Sequence, residues 1–324
     1  MPPTAHPDGP VVVTGGAGAI GALLVAALAE RGDEVRIVDN LSSGRRSHLD
    51  RVGRPDRWKL VTADLRQDGP WIEEFRGARE VWHLAANPDI RRGTEDPRLD
   101  FELGTMATFR VLEAARRHDV RRVLFSSSSV VYGLPKVFPT PESYGPLLPE
   151  SLYGASKLAC EGLLSAYSSC YGFTTYIYRF ANVIGPLMTH GILFDFFEKL
   201  RKDPTRLEVL GDGQQAKSYL RTEDCVAAML FVSERSGEPT NVFNLGTGDR
   251  ITVREIAEKV VRAHGGRARI DYTGGSRGWA GDVPQQDLAI DKILDMGWKP
   301  RWNSAQAVDR TIEEMHQALS ARDR

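Results

Sequence analysis

The chain has 324 residues, 41% hydrophobic and 26% charged, and its 42 Lys+Arg against 43 Asp+Glu leave a formal net charge of −1. That length allows a large core and two domains, and the balanced charge excludes broad electrostatic attraction to nucleic acid or to an anionic membrane surface. No apolar run approaches the ~18 residues of a membrane span, and the cysteines Cys160, Cys170 and Cys225 lack disulfide spacing, which points to a reducing cytoplasmic setting.

Residues 1–10 are Pro-rich and polar and read as a tail, not as a signal peptide. The β-branched run Val11–Val13 predicts a buried parallel strand over 11–14. Gly15-Gly16-Ala17-Gly18-Ala19-Ile20-Gly21 follows, opening an Ala/Leu-rich helix over 18–31 that Gly32 ends. Gly15, Gly18 and Gly21 suit a tight turn, close backbone approach to a pyrophosphate and tight helix–strand packing. The helix N-terminus adds N–H groups and a positive dipole end for phosphate. The next strand, 34–38, ends at Asp39, where a carboxylate binds adenosine ribose hydroxyls and repels a 2′-phosphate. The expected cofactor is therefore NAD. Further strands are expected at 58–63, 80–84, 122–126 and 174–180, and helices at 98–118 and 152–171.

Tyr153-Gly-Ala-Ser-Lys157 lies on the last of these helices and places a phenol and an ammonium one turn apart. The cation is expected to favour phenolate and lower the Tyr153 pKa toward neutrality. Such a group takes a proton from an alcohol while a hydride leaves the same carbon. His83, inside a strand, reads more readily as a satisfied core histidine than as a ligand, and Ser126–Ser129 reads by itself as a strand-to-loop cap. No His or Cys spacing suits a metal.

After Asn182 the texture changes to shorter pieces punctuated by Gly185-Pro186, Asp203-Pro204 and Gly211-Asp212-Gly213, with Trp-containing turns around 273–303. Residues 222–245 return to the first texture with one more helix and strand. The expected fold class is α/β, a doubly wound parallel Rossmann sheet with a smaller C-terminal substrate lobe. The NAD-binding domain is expected over 10–181 plus about 222–245, and the nucleotide-sugar-binding lobe over 182–221 and 246–324.

Thr14–Gly21, Asp64-Leu65, His83–Ala86, Ser126–Ser128, Tyr153 with Lys157, and Arg179–Asn182 stand in the order and spacing of extended short-chain dehydrogenases/reductases. Over about residues 10–318 the chain resembles their NAD-dependent nucleotide-sugar epimerase/dehydratase branch. Val209–Gly213 and Arg277–Val283 make it most similar to archaeal-type UDP-galactose (UDP-glucose) 4-epimerases.

The resemblance implies a catalytic set of Ser128, Tyr153 and Lys157. It implies NAD held by Gly15, Gly18, Ala19, Ile20 and Gly21 at the glycine loop and by Asp39, Asn40, Ser42, Ser43 and Gly44 around the adenosine ribose. Asp64 and Leu65 would meet the adenine, and Leu84, Ala85 and Ala86 the phosphate and nicotinamide ribose, with Tyr153 and Lys157 closing that site. Ser128, Tyr153, Asn182, His190, Val209, Lys217, Arg277 and Asp282 would bind a UDP-sugar substrate. A homodimer through helices 98–118 and 152–171 is also implied.

Sugar 4,6-dehydratases of the branch place an Asp-Glu pair just before the Val-Tyr-Gly segment, and nucleotide-sugar decarboxylases keep the Glu; here Ser129 and Val130 stand there. A valine cannot move a proton, which leaves 4-epimerisation of a UDP-hexose of the glucose/galactose type through a 4-keto intermediate. UDP-glucuronate 4-epimerisation and net NAD-dependent oxidation or reduction of a nucleotide sugar are the alternatives. Three positions depart from the family pattern: Gly104 replaces a common Asn, Lys217 an Arg, and Trp279 another Arg for which Arg277 can substitute. Arg91 and Arg92 read as solvated charges that, facing the sugar, would attract a C6 carboxylate.

Overall fold

The computed structural model describes residues 8–279 and 281–322. Residues 1–7 of the expected tail, and Ala280 within the 277–283 stretch, lie outside the described residues. Seven parallel strands form the central sheet. They are β1 (Val11–Thr14), β2 (Val35–Asp39), β3 (Trp58–Thr62), β4 (Glu80–His83), β5 (Arg122–Ser128), β6 (Thr174–Phe180) and the strand Thr240–Leu245. Across the sheet the order is Thr240–Leu245, β6, β5, β4, β1, β2, β3. The expected fold class is borne out.

The chain winds outward from β1 to β3, then returns to lay β4 on the other side of β1. The crevice beyond the carboxyl ends of β1 and β4 is the switch point where doubly wound sheets bind ligands. Val11, Val12 and Val13 are fully buried, as a strand covered on both faces requires. One core packs Leu24 and Leu28 of the helix Ala19–Glu30 and Val226 and Met229 of the helix Thr222–Arg235 against one sheet face. The opposite face packs Val111 and Leu112 of Ala107–Arg117 and Cys160 and Leu164 of Leu152–Tyr171.

The helix Leu152–Tyr171 begins where the Ser151 hydroxyl accepts the Gly154 N–H at 3.1 Å and ends at Gly172 in the left-handed conformation, φ +68°. The helix expected over 98–118 is divided: Pro97–Asp100, a π-helical turn Phe101–Met106, then Ala107–Arg117. Gly104 lies in that turn because a Cβ there would stand 2.0 Å from Ser156 Oγ on the Tyr153 helix. Such turns recur beside functional sites.

Beyond β6 a third core gathers Phe196, Leu207, Ile256 and Val308 from the helices Ile192–Lys202, Val253–Ala263 and Ser304–Arg322 and the strand Arg206–Val209. Short pairings wall the crevice there: Asn182–Ile184 with Tyr219–Arg221, and Ala216–Lys217 between Ile251–Thr252 and Gln285–Gln286. Among the described residues no helix is long and apolar enough to cross a membrane.

Candidate active site

Two adjoining cavities occupy the crevice, about 430 Å³ beside the glycine loop and about 390 Å³ toward the C-terminal helices. The first is shaped by what glycine lacks. Gly15 has φ +71°, and a Cβ there would lie 2.7 Å from the Ala85 nitrogen, so the loop and the chain after β4 can close together only over a bare Cα. At Gly21 a Cβ would lie 2.2 Å from the Gly15 carbonyl oxygen, which ties the first helical turn against the loop. Gly18 caps the helix without a side-chain hydrogen bond, so no side chain covers its N-terminal N–H groups.

Asp39 sits buried at the end of β2, accepting the Ala17 N–H on Oδ2 at 2.9 Å and the Leu41 N–H on Oδ1 at 2.8 Å. Asn40, Ser42, Ser43 and Gly44 follow it around the same cavity. Asp64 reaches the wall paired to Arg66 at 2.7 Å, and that bond holds its carboxyl below the usual range. Leu65, Leu84, Ala85 and Ala86 complete the lining, and Gly15, Gly18, Ala19, Ile20 and Gly21 form its floor. Bare loop glycines, uncapped helix N–H groups and a ribose-position carboxylate together fit a dinucleotide without a 2′-phosphate. His48 is a contributor the sequence did not flag. Its Nδ1 lies 2.9 Å from the Ala17 carbonyl oxygen, bracing the loop, and burial lowers its pKa toward the neutral form. It lies on a single helical turn with no motif to mark it.

Ser128, Tyr153, Asn182, His190, Val209, Lys217 and Asp282 line the second cavity. Lys217 Nζ meets Asp282 Oδ1 at 2.6 Å, and Asp282 Oδ2 accepts the Gly278 N–H at 3.0 Å. Trp279 joins the same wall. Arg277 does not: its guanidinium turns away to Glu150, 3.1 Å distant, and lines neither cavity. The expected substrate contact at Arg277 is thus not among the cavity-lining residues, and its charge is paired with Glu150 on the loop before the Tyr153 helix. Arg91 and Arg92, read as solvated, are exposed, Arg91 at the rim of the second cavity and Arg92 at that of the first.

Tyr153, Ser127 and Phe180 line both cavities, so the phenol stands at their junction. Lys157 is buried, donates to the Ser126 carbonyl at 2.5 Å, and lies 5.6 Å from the centroid of the Tyr153 ring. Burial brings its pKa down to about 8. The expected acidification of Tyr153 is not what the fold imposes. Burial, reinforced by the nearby Asp100 charge, raises the phenol above its ordinary value, because desolvation disfavours the phenolate. Ser128 Oγ accepts the Val130 N–H at 3.4 Å, a long cap bond, and the residue also lines the second cavity.

His83 is a satisfied core residue. Its Nδ1 lies 2.6 Å from Thr14 Oγ1 and its Nε2 3.0 Å from Thr108 Oγ1, and burial takes its pKa down to about 3. Behind Ser128, Glu161 binds Arg179 through both oxygens at 2.7 and 3.0 Å and accepts the Ser127 hydroxyl at 2.5 Å. Arg179 also donates to the Tyr132 hydroxyl at 2.9 Å. Among the described residues no group of three or more His, Cys, Asp or Glu side chains is placed to hold a metal.

Residues 11–246 match the NAD dependent epimerase/dehydratase family. The chain belongs to that family. A curated relative, the putative UDP-glucose 4-epimerase of Methanocaldococcus jannaschii, is 30% identical over 94% of this chain and 98% of its own length. A crystal structure of a UDP-galactose 4-epimerase superposes with TM-score 0.86 at 40% identity, covering 95% of this chain and 99% of that one. The NAD complex of the Thermus thermophilus UDP-glucose 4-epimerase superposes with TM-score 0.84 at 30% identity, covering 95% and 99%. This epimerase/dehydratase-family member is thus an NAD-dependent enzyme.

Proposed function

We propose that the protein is a 4-epimerase of a UDP-hexose of the glucose/galactose type. The observation that carries this reading is Tyr153 at the junction of the two cavities, with Ser128 on the substrate side and Lys157 on the cofactor side. NAD, when bound, accepts and returns the C4 hydride and brings a cationic nicotinamide ring, whose charge favours the phenolate form of a nearby phenol. Tyr153 takes the proton of the sugar 4-hydroxyl as the hydride leaves and gives it back after the 4-keto sugar has turned over. Ser128 hydrogen-bonds the same oxygen. Lys157, fixed on the Ser126 carbonyl, supplies positive charge beside the ring.

Turning the sugar over requires loose contacts at the hexose and firm ones at the nucleotide, so binding energy is concentrated away from the reacting carbon. Asn182, Val209, Lys217 and Asp282 supply the firm end in this reading. Lys217 is a single ammonium rather than a planar fork, and Asp282 holds it in place. Elimination of water is disfavoured because Ser129 and Val130, which precede Tyr132, provide no acid–base pair. Incubation with UDP-glucose and NMR of the products is expected to show the C4-inverted sugar without accumulation of NADH. Stoichiometric NADH, or an unchanged sugar, would refute the proposal.

The same reading includes a homodimer through the helical segment 97–117 and the helix Leu152–Tyr171, whose apolar Phe101, Phe109, Leu152 and Tyr171 are exposed. Two copies laying these faces together would bury them. Light scattering at micromolar concentration should report twice the chain mass of 35.9 kDa, and a monomer would exclude the arrangement.

A further inference from the structure

At the junction of the cavities, Pro88 and His190 join Tyr153 in lining both sides. Charged residues follow directly from each. Asp89 and Arg91 continue the chain from Pro88, and Asp195 sits in the first turn of the helix that continues from His190. All three line the substrate cavity. The Arg91 guanidinium is already engaged on two sides: Nη2 lies 3.2 Å from Asp195 Oδ2 and Nε 3.7 Å from Asp89 Oδ1.

An uncommitted arginine here would bind a sugar carboxylate through two parallel hydrogen bonds. This one has two carboxylates against its single charge, so the wall carries excess negative charge. His190 offsets it little, because burial lowers its pKa and favours the neutral imidazole; its Nδ1 is buried without a protein partner. Of the other cations lining the two cavities, Lys199 is held by Glu208, its Nζ 2.9 Å from the carbonyl oxygen and 3.7 Å from Oε1, Lys217 is held by Asp282, and Arg92 opens on the cofactor side.

We infer that Asp89, Arg91 and Asp195 form a charge filter that admits neutral hexoses to Tyr153 and rejects hexoses carrying a C6 carboxylate. The inference rests on the UDP-hexose reading above and turns its glucose-versus-glucuronate alternative into a matter of specific residues. A carboxylate entering this wall meets like charge in a partly desolvated cleft, where repulsion is far stronger than in bulk water. Asp195 sets the balance: without its charge Arg91 becomes available to the incoming anion. Arg91 sets it the other way: without its charge two carboxylates face the sugar unneutralised.

The test is isothermal titration of the NAD-loaded protein with UDP-glucose and with UDP-glucuronate, read as the ratio of the two dissociation constants. The parent protein should prefer UDP-glucose by at least about tenfold, the scale of one close like-charge contact. Asp195→Asn should narrow that ratio roughly tenfold, and Arg91→Gln should widen it. Opposite movement separates a charge filter from general damage to the wall, which would shift both variants in one direction. Equal affinities in the parent, or a ratio that both variants leave unchanged or move the same way, would overturn the filter. Turnover of UDP-glucose is followed in parallel. Turnover with an unselective ratio removes the filter alone, whereas no turnover removes the epimerase reading and the filter with it.

Discussion

Tyr153 concentrates the chemistry and also shows how far one side chain can be read without its surroundings. The i, i+4 pairing with Lys157 is legible in the sequence because a helix puts those positions on one face. The direction of the phenol's pKa is not, because it depends on the burial and the Asp100 charge that the fold brings around the ring. Burial favours the protonated phenol in the protein alone. Replacing Tyr153 by Phe removes the proton acceptor and leaves the ring's packing, so turnover of UDP-glucose should fall at least about 100-fold while NAD still binds. Steady-state rates and NAD titration of the variant check this, and full activity would show that another group moves the proton. Arg277 teaches the same lesson at a single residue. Family resemblance implied a substrate contact there, but Glu150, 127 residues away along the chain, pairs with its charge.

At the level of elements, the strands of the main sheet were legible because buried β-branched runs between turn signals have few other solutions. The helix Leu152–Tyr171 was equally legible, with Ser151 and Gly172 marking its ends. The π-helical turn Phe101–Met106 was not, since it is set by Ser156 packing against Gly104 from a different helix. The two- and three-residue strands of the C-terminal part carry no periodicity and form only through partners distant in sequence, as Ala216–Lys217 does with Gln285–Gln286. The buried Glu161–Arg179 pair joins the Tyr153 helix to β6 and, through Ser127, to the end of β5 that carries Ser128. Neutralising one member strands the other's charge in a low-dielectric site. Glu161→Gln should therefore lower unfolding stability by about 3–5 kcal/mol. Urea unfolding measures this, and a loss below about 1 kcal/mol, the range of an exposed pair, would mean the ion pair contributes little.

Across the whole molecule, the switch point between β1 and β4 puts the glycine loop and Leu84–Ala86 at one mouth, and the shorter C-terminal pairings wall the other. Only Tyr153 among the proposed catalytic residues Ser128, Tyr153 and Lys157 lines both cavities. That placement suits a reaction in which the hydride taken from a sugar goes back to the same carbon, with the nucleotide held and nothing exchanged with solvent. The fate of deuterium at C4 of UDP-glucose tests this most directly, measured by NMR and mass spectrometry of the UDP-galactose formed. Complete retention of the label at C4 is the expected result. Label lost to water, or carried away on released cofactor, would contradict internal return of the hydride.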